Sequence, residues 1–283
     1  MGIPDKVLDG VNRLEPLPIT VQKLLVSLND ANINFSEIAD AIEYDGAITS
    51  NILRTANSAA FGGRARIEHI RDAVVRLGTI TLLDIMLLGH LRTMKSAGAQ
   101  HVAAENDLWL HGAAASLGAK AILKETRNRS IPEAATIAAL IHDIGKLILI
   151  RYLNAGKVDV AALGREKNLP AIEAENDAFG CNHAEVGGII ARKWQFPELI
   201  TAAIERHHDA GPLDPNPMLD AVMLANLTAK TVSPLTGAEG TSFPQEAVAA
   251  SKRIALTMEG FERVCLQTGA WLEDLKKNYN IGK

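Results

Sequence analysis

The chain has 283 residues, 47% of them hydrophobic and only 4% aromatic, with a net charge of −4. That is apolar material for one large core or two small ones, built from small and aliphatic side chains, which favours helices. Acidic and basic residues are mixed and no long basic run occurs, so nucleic acid binding is not indicated. The two cysteines, Cys181 and Cys265, have no paired spacing, which argues against a disulfide framework or a cysteine-rich zinc site.

The N-terminal residues lack an apolar signal region, and Lys6 stands where a myristoylation motif wants Ser or Thr. No apolar stretch reads as long and uninterrupted enough to span a bilayer, so a cytoplasmic protein is expected. Leu14-Glu15-Pro16-Leu17-Pro18 reads as a rigid, extended lead. Pro18 suits the first turn of a helix with Val21, Leu24, Leu25 and Leu28 on one face. After a polar loop over 29–34, a short helix is expected from Phe35, with Ser36 as N-cap and Gly46 as terminator. Ile48 to Ala60 reads as a helix with Ile52, Leu53 and Ala56 inward, broken by Phe61-Gly62-Gly63. Ile70 to Leu77 and Thr79 to Leu91 are further helical segments, separated at Gly78. No segment here alternates with the period of a half-buried strand.

Ser96-Ala97-Gly98-Ala99 is small and flexible, a joint or a helix–helix turn. Longer helices are expected beyond it, at about 107–123, 133–153, 159–168, 171–177, 183–194, 197–208 and 217–231. Pro132 and Pro197 fall at helix starts, and Asn182 with Glu185 forms a capping-box pattern. Residues 211–217 and 236–244 read as loops. Gln245 to Tyr279 reads as an amphipathic helical stretch with Ile254, Met258, Phe261 and Leu266 inward. The organisation expected is all-α: an N-terminal helical unit over 1–95, a helical unit with the site over 96–235, and a helical extension over 236–283.

One stretch stands out. His142-Asp143 lies in the almost wholly apolar run Ala138-Ala139-Leu140-Ile141-His142-Asp143-Ile144-Gly145-Lys146-Leu147. A buried carboxylate is costly unless it is paired or binds a metal. Neighbours on a helix point about 100° apart, so the pair can flank one ion, and Lys146 lies one turn on. Asp107 and His111 share a helix face; His183 sits near a helix start, and His207-His208 form a second adjacent pair. Imidazole and carboxylate ligands spread over several helices are what a bundle-core metal site requires. Each member also has a structural reading. His111 can be a hydrogen-bonded core residue, His183 a helix-start residue and His207-His208 a solvated pair. Asp107 can favour its helix start through the dipole, and Lys146 can be an ion-pair partner.

His111, then His142-Asp143, then a late polar residue resembles the HD superfamily of metal-dependent phosphohydrolases. The fuller set with Lys146, His183, His207 and His208 is similar to its HD-GYP branch, where some members add a carboxylate at the position of Asp107. The Gly-Tyr-Pro signature is absent from Asp209-Ala210-Gly211-Pro212-Leu213, and Asn226 stands where the pattern has Asp. The first half decides the branch. Leu17-Pro18, Ile38-Ala39, Asp45, Leu53-Arg54, Ala56-Asn57-Ser58-Ala59 and Ala73-Val74-Val75-Arg76-Leu77-Gly78 resemble the HDOD domain, the HD-related output domain. So do Glu175, Gly180, His183-Ala184-Glu185-Val186-Gly187 and Trp194, which extends the resemblance over about 12–230.

The resemblance implies an all-α bundle of the HD superfamily and a bacterial signal-transduction output protein. It implies binding of a signalling protein, a nucleotide signal or a phosphorylated small molecule. The alternative it implies is an active phosphohydrolase or phosphodiesterase, with Asp143 and Lys146 as catalytic residues. The implied metal ligands are Asp107, His111, His142, Asp143, His183, His207, His208 and Asn226, holding one or two divalent ions, Fe, Mn, Zn or Ni.

Overall fold

A computed structural model of the chain describes residues 3–28, 35–43, 46–58, 66–94, 102–154, 159–209, 216–233 and 244–279. Among these residues every regular element is helical. A helix the sequence reading did not anticipate opens the chain: α1, Asp5–Asn12, buries Val7 and Val11. Pro18 sits just ahead of α2, Ile19–Ser27, which buries Val21, Leu24 and Leu25. In α3, Phe35–Glu43, Ser36 lies inside the first turn rather than ahead of it. Gly46 opens α4, Gly46–Ala56, instead of terminating α3.

The end of α4 is set by Asn57, whose side chain pairs with both backbone groups of Ile67, each at 2.8 Å. That side chain ties α4 to the start of α5, Ile70–Thr93, across residues 59–65, which lie outside the described set. α5 is bent at Gly78, where φ is +71°, a conformation that costs glycine little. By length and hydropathy alone α5 passes for a membrane span, contrary to the sequence expectation. Its bend and its contacts with α2, α3, α4, α6 and α7 are those of a core helix.

The centre of the molecule is α6, Val102–Thr126. It packs against α7 (Ala135–Ile141), α13 (Pro217–Val232) and α15 (Met258–Tyr279). Small residues allow this crowding. A methyl at Gly112 would strike the Leu140 carbonyl, and one at Gly118 would come within 3.2 Å of Thr228. The helix expected over 133–153 is broken: α7 ends at Ile141, α8 spans Gly145–Ile148, and a π-helical turn follows over Leu149–Asn154. Arg151 of that turn donates to Glu105 of α6 at 2.6 Å and to the Met94 carbonyl, tying the end of α5 to the core.

Beyond it come α9 (Val160–Lys167), α10 (Ala171–Phe179), α11 (His183–Lys193) and α12 (Glu198–Arg206). The Asn182–Glu185 capping box at the start of α11 is present. The stretch from Gln245 is not one helix. α14, Gln245–Arg253, stops before Ala255, whose φ is +59°, and α15 starts afresh at Met258. Ile254 and Phe261 are buried as expected, but Met258 and Leu266 are exposed, at 53% and 76%. The break resets the helical phase, so a single periodic reading across it misplaces the inward face. The joints expected near 96 and 236, and the loop centres near 30 and 211, lie outside the described residues.

Candidate metal centre

The break between α7 and α8 places the central residues. Ile144, Lys146 and Leu147 each donate to the carbonyl three residues back, at 2.9–3.1 Å. Such tightening stacks residues i and i+3 over one another. Lys146 therefore lies directly over Asp143, with Nζ 2.7 Å from Oδ2. Gly145 makes the turn fit, because a methyl there would strike the His183 carbonyl at the start of α11. α8 can thus lie flush on α11, and His183 meets Asp143.

Asp143 is buried, and its two oxygens face two sets of imidazoles. Oδ1 lies 3.1 Å from Nε2 of His183 and 3.6 Å from Nε2 of His207. His183 Nε2 is in turn 3.3 Å from His207 Nε2 and 3.0 Å from His208 Nε2. On the other side, Oδ2 lies 3.6 Å from Nε2 of His111 and 3.5 Å from Nε2 of His142, which are 3.3 Å from each other. Asp143, His183, His207 and His208 form one group able to hold an ion, and His111, His142 and Asp143 a second. An ion with bonds of about 2.1 Å in tetrahedral geometry sets its ligand atoms about 3.4 Å apart. The separations above, 3.0–3.6 Å, bracket that spacing, and all ligand atoms of each group lie within 4.8 Å of one another.

The outer contacts prepare the rings for this task. Nδ1 of His142 donates to the Ala139 carbonyl, and Nδ1 of His207 to the Ile204 carbonyl, both at 2.7 Å. A carbonyl only accepts, so these rings carry their proton on Nδ1 and turn the Nε2 lone pair toward Asp143. His183 is held by Glu175, whose Oε2 lies 2.5 Å from Nδ1 and also accepts the His183 backbone N–H at 2.8 Å. Several lone pairs thus converge on a carboxylate whose Oδ1 accepts no aligned hydrogen bond, and only a cation or protons can satisfy them. The donor set fits a divalent ion.

Electrostatics keep most of the ligands in their binding form. Burial pushes His111 down to about 4 and His208 down to about 2, and it holds His142 and His207 below the usual histidine range. Burial alone would raise Asp143, but Lys146, His142 and His183 outweigh it and keep the carboxylate well below its usual value. His183 goes the other way: burial and Lys146 oppose its charge, while Asp143 and Glu175 prevail and raise it.

The sequence-predicted residues mostly converge. His111, His142, Asp143, Lys146, His183, His207 and His208 share one centre. Asn226 lies beside His111 and favours its protonated ring, yet both Oδ1 of Asn226 and Nδ1 of His111 are buried without a hydrogen-bond partner. Asp107 is half-buried and belongs to neither group, so it is not brought to the centre. Two contributors escaped the residue-by-residue reading. Glu175 was visible only as a matching position of the resemblance, and Lys230 of α13, within electrostatic reach of Asp143 and Lys146, gave no signal.

The fold and the site together define an all-α protein with a buried His/Asp cluster able to bind metal. The chain belongs to the HDOD domain family, whose model matches residues 14–210. Its structure is similar to that of an HDOD domain protein from Geobacter sulfurreducens, with a TM-score of 0.76, 23% identity, and coverage of 97% of this chain and 95% of that one. A Shewanella amazonensis protein, provisionally named a metal-dependent phosphohydrolase, matches with a TM-score of 0.68 at 20% identity over 95% of both chains. A Marinobacter aquaeolei protein, provisionally named a signal transduction protein, matches with a TM-score of 0.70 at 17% identity, over 96% of this chain and 65% of that one. An uncharacterised Treponema pallidum protein is 24% identical over 227 residues; the match covers 79% of this chain and 44% of that relative.

Proposed function

We propose that this chain is a bacterial, cytoplasmic signal-transduction output protein, acting by binding a partner protein or a nucleotide-type signal, with a divalent ion in its His/Asp cluster. The observation that carries this reading is the 2.7 Å contact between Lys146 and Oδ2 of Asp143. That oxygen faces His111 and His142, so an ammonium already neutralises the charge a second ion would need. Asn226 beside them adds none. On the other side, Oδ1 with His183, His207 and His208 keeps a four-atom set for one ion. Imidazole and carboxylate donors suit Fe, Mn, Zn or Ni. A single ion next to a lysine-neutralised site suits a structural or sensing role better than the two-ion clamp of phosphoryl transfer. The name of the Marinobacter relative supports a signalling role.

A second reading, a metal-dependent phosphohydrolase, is favoured by one feature. Lys146 leaves 37% of its side chain exposed beside Asp143, where its ammonium can meet a phosphate. A bound divalent ion supplies Lewis-acid charge toward such a group. The protein residues would orient it: Lys146 neutralises a phosphate oxygen while Asp143 stays ionised. The name of the Shewanella relative agrees with this reading.

The deciding experiment is metal analysis of protein purified without a histidine tag, beside Asp143→Ala. Near-stoichiometric metal in the wild type and loss in the variant is the expected result; absence from both sinks the metal-based readings. Turnover of cyclic dinucleotides or simple phosphodiesters by Fe- or Mn-loaded protein would replace the regulatory reading with the hydrolase.

A further inference from the structure

The face of α6 turned away from His111 borders a cavity of about 880 Å³. Its walls come from α4, α5, α6, α7, the segment between α6 and α7, and α15, so the N-terminal helices close one side and the central helices the other. The size is that of a small-molecule site. The lining has two polar ends joined by apolar walls, among them Ile80, Leu117 and Trp271.

At the inner end stands Asp84 of α5. Ser116 donates to its Oδ2 at 3.4 Å, the outer limit of a hydrogen bond, and the Thr136 hydroxyl and the nearby Lys120 ammonium also favour the carboxylate. Its other oxygen, Oδ1, is buried and accepts no hydrogen bond. An unsatisfied buried acceptor is costly, and a ligand with N–H donors would satisfy it. At the other end, Lys124, Arg127 and Arg129 are exposed on the rim, three cations in a lining that also holds two further carboxylates, Glu133 and Asp274. Lys120 and Lys124 lie over the Trp271 ring, 5.7 and 5.5 Å from its centre, which holds that cationic edge in place. From Ser116 to Lys124 the axis of α6 rises about 12 Å at 1.5 Å per residue.

We propose that this cavity is a second ligand site, separate from the His/Asp cluster, which takes a purine nucleotide: the ring edge with adjacent N–H donors meets Asp84, and the phosphate meets Lys124, Arg127 and Arg129. A fatty-acid-like amphiphile fits less well. Whichever end it inserted, either a methylene chain or a second carboxylate would lie against Asp84. A flat ring between the apolar walls leaves neither penalty. Guanine presents two adjacent N–H donors, which a carboxylate can take together. Adenine sets an acceptor nitrogen beside its single donor group, and that nitrogen would face the carboxylate.

The site is joined to the rest of the protein by shared helices. Thr136 and Leu140 line the cavity from α7, and His142 follows directly on the end of that helix. Ser116 and Lys120 line it from α6, which also carries His111. A ligand here would bridge the N-terminal helices and two of the helices that present the cluster, α6 and α7. The inference deepens the regulatory reading by giving it a place for its signal; the binding claim itself stands or falls alone.

Isothermal titration of the full chain at pH 8, above the value of about 7 to which burial raises Asp84, with GMP, AMP, inorganic phosphate and decanoate tests it. GMP is expected to bind saturably at one site, at least about tenfold more tightly than AMP, as one charge-assisted pair contributes. Asp84→Asn should erase the preference for GMP, and Arg127→Ala combined with Arg129→Ala should weaken GMP about tenfold or more. Removing metal with a chelator should leave GMP binding unchanged, with metal content alike in all variants. The proposal is overturned if GMP fails to saturate at millimolar concentration, if AMP, phosphate or decanoate binds as well, if neither variant alters binding, or if binding disappears with the metal. Because metal content is read separately, a failure here is distinguishable from failure of the metal centre.

Discussion

Glu175 and His183 are joined twice: one carboxylate oxygen lies 2.5 Å from the ring Nδ1 and 2.8 Å from the backbone N–H of the same residue. The double contact fixes the ring direction and aims Nε2 at Asp143. Partners of this kind set ligand basicity and orientation, and losing one typically costs 10–100-fold in metal affinity. Glu175→Gln keeps the shape but removes the charge. Its metal affinity should fall by about that factor in a chelator competition, with little change in helicity. Affinity equal to wild type would mean that His183 does not bind the ion.

Asn226 supplies a neutral amide at a buried position where its Oδ1 has no hydrogen-bond partner. Asn226→Asp adds a negative charge next to His111 at nearly constant volume. In the metal-free protein that charge is costly and the melting temperature should fall; with Mn or Fe added it should rise above that of wild type, because the added carboxylate gives the His111–His142 side a second anionic donor. Calorimetry with and without metal measures both signs. A variant whose metal-induced shift equals that of wild type would place Asn226 outside the centre.

Gly145 sits where α8 crosses the start of α11. A methyl there would strike the His183 carbonyl and come within 2.7 Å of the Gly187 backbone nitrogen. Both obstacles are backbone and cannot rotate away. Gly145→Ala should destabilise by about 3 kcal/mol or more and lower metal content with it, since the separation of α8 and α11 sets the contact between Asp143 and His183. Gly89→Ala is the control. A methyl there meets nothing within 4 Å, so denaturant unfolding should show a neutral or slightly stabilising change, up to about 1 kcal/mol.

Asp84 gives the stability a pH slope unrelated to the metal. Burial raises its pKa from 3.8 to about 7. Between those values the unfolded chain has released the proton and the folded chain still holds it, so stability falls as pH rises from about 4 to 7 and then levels. The full penalty is on the order of 4 kcal/mol at 1.36 kcal/mol per unit; solvent reaching half-buried Asp84 through the cavity trims it to about 2 kcal/mol. Lys120, lowered from 10.5 to about 8 by burial, has the opposite slope, and stability rises between those two values. Asp84→Asn should therefore stabilise by about 1–3 kcal/mol at pH 8, by less at pH 5, and flatten the decline between pH 4 and 7. Urea unfolding across that range reads the slope directly.

Much of this protein was legible in its residues. Apolar spacing gave the helices, Gly78 its bend and Asn182-Glu185 a helix start, because these signals are local. An acid and a histidine in an apolar run announced a buried polar centre, since such groups are not buried without compensation. The other members of the centre came from the resemblance to the HD superfamily, because His183 and His207-His208 also had structural readings of their own. What sequence could not supply depends on where the helices meet. The continuous helix expected over 133–153 breaks at His142-Asp143 because Gly145 must lie against α11, and only that contact stacks Lys146 over Asp143. Asp107, one turn from His111, has the right chemistry but not the right position relative to the other helices. Asp84, an ordinary acid in a helical pattern, becomes an unsatisfied acceptor only when α5, α6 and α7 enclose it beneath a basic rim. Local sequence determined where most helices form; the packing of helices distant in the chain decided that His207 is buried, that Met258 and Leu266 are exposed, and which buried groups face each other.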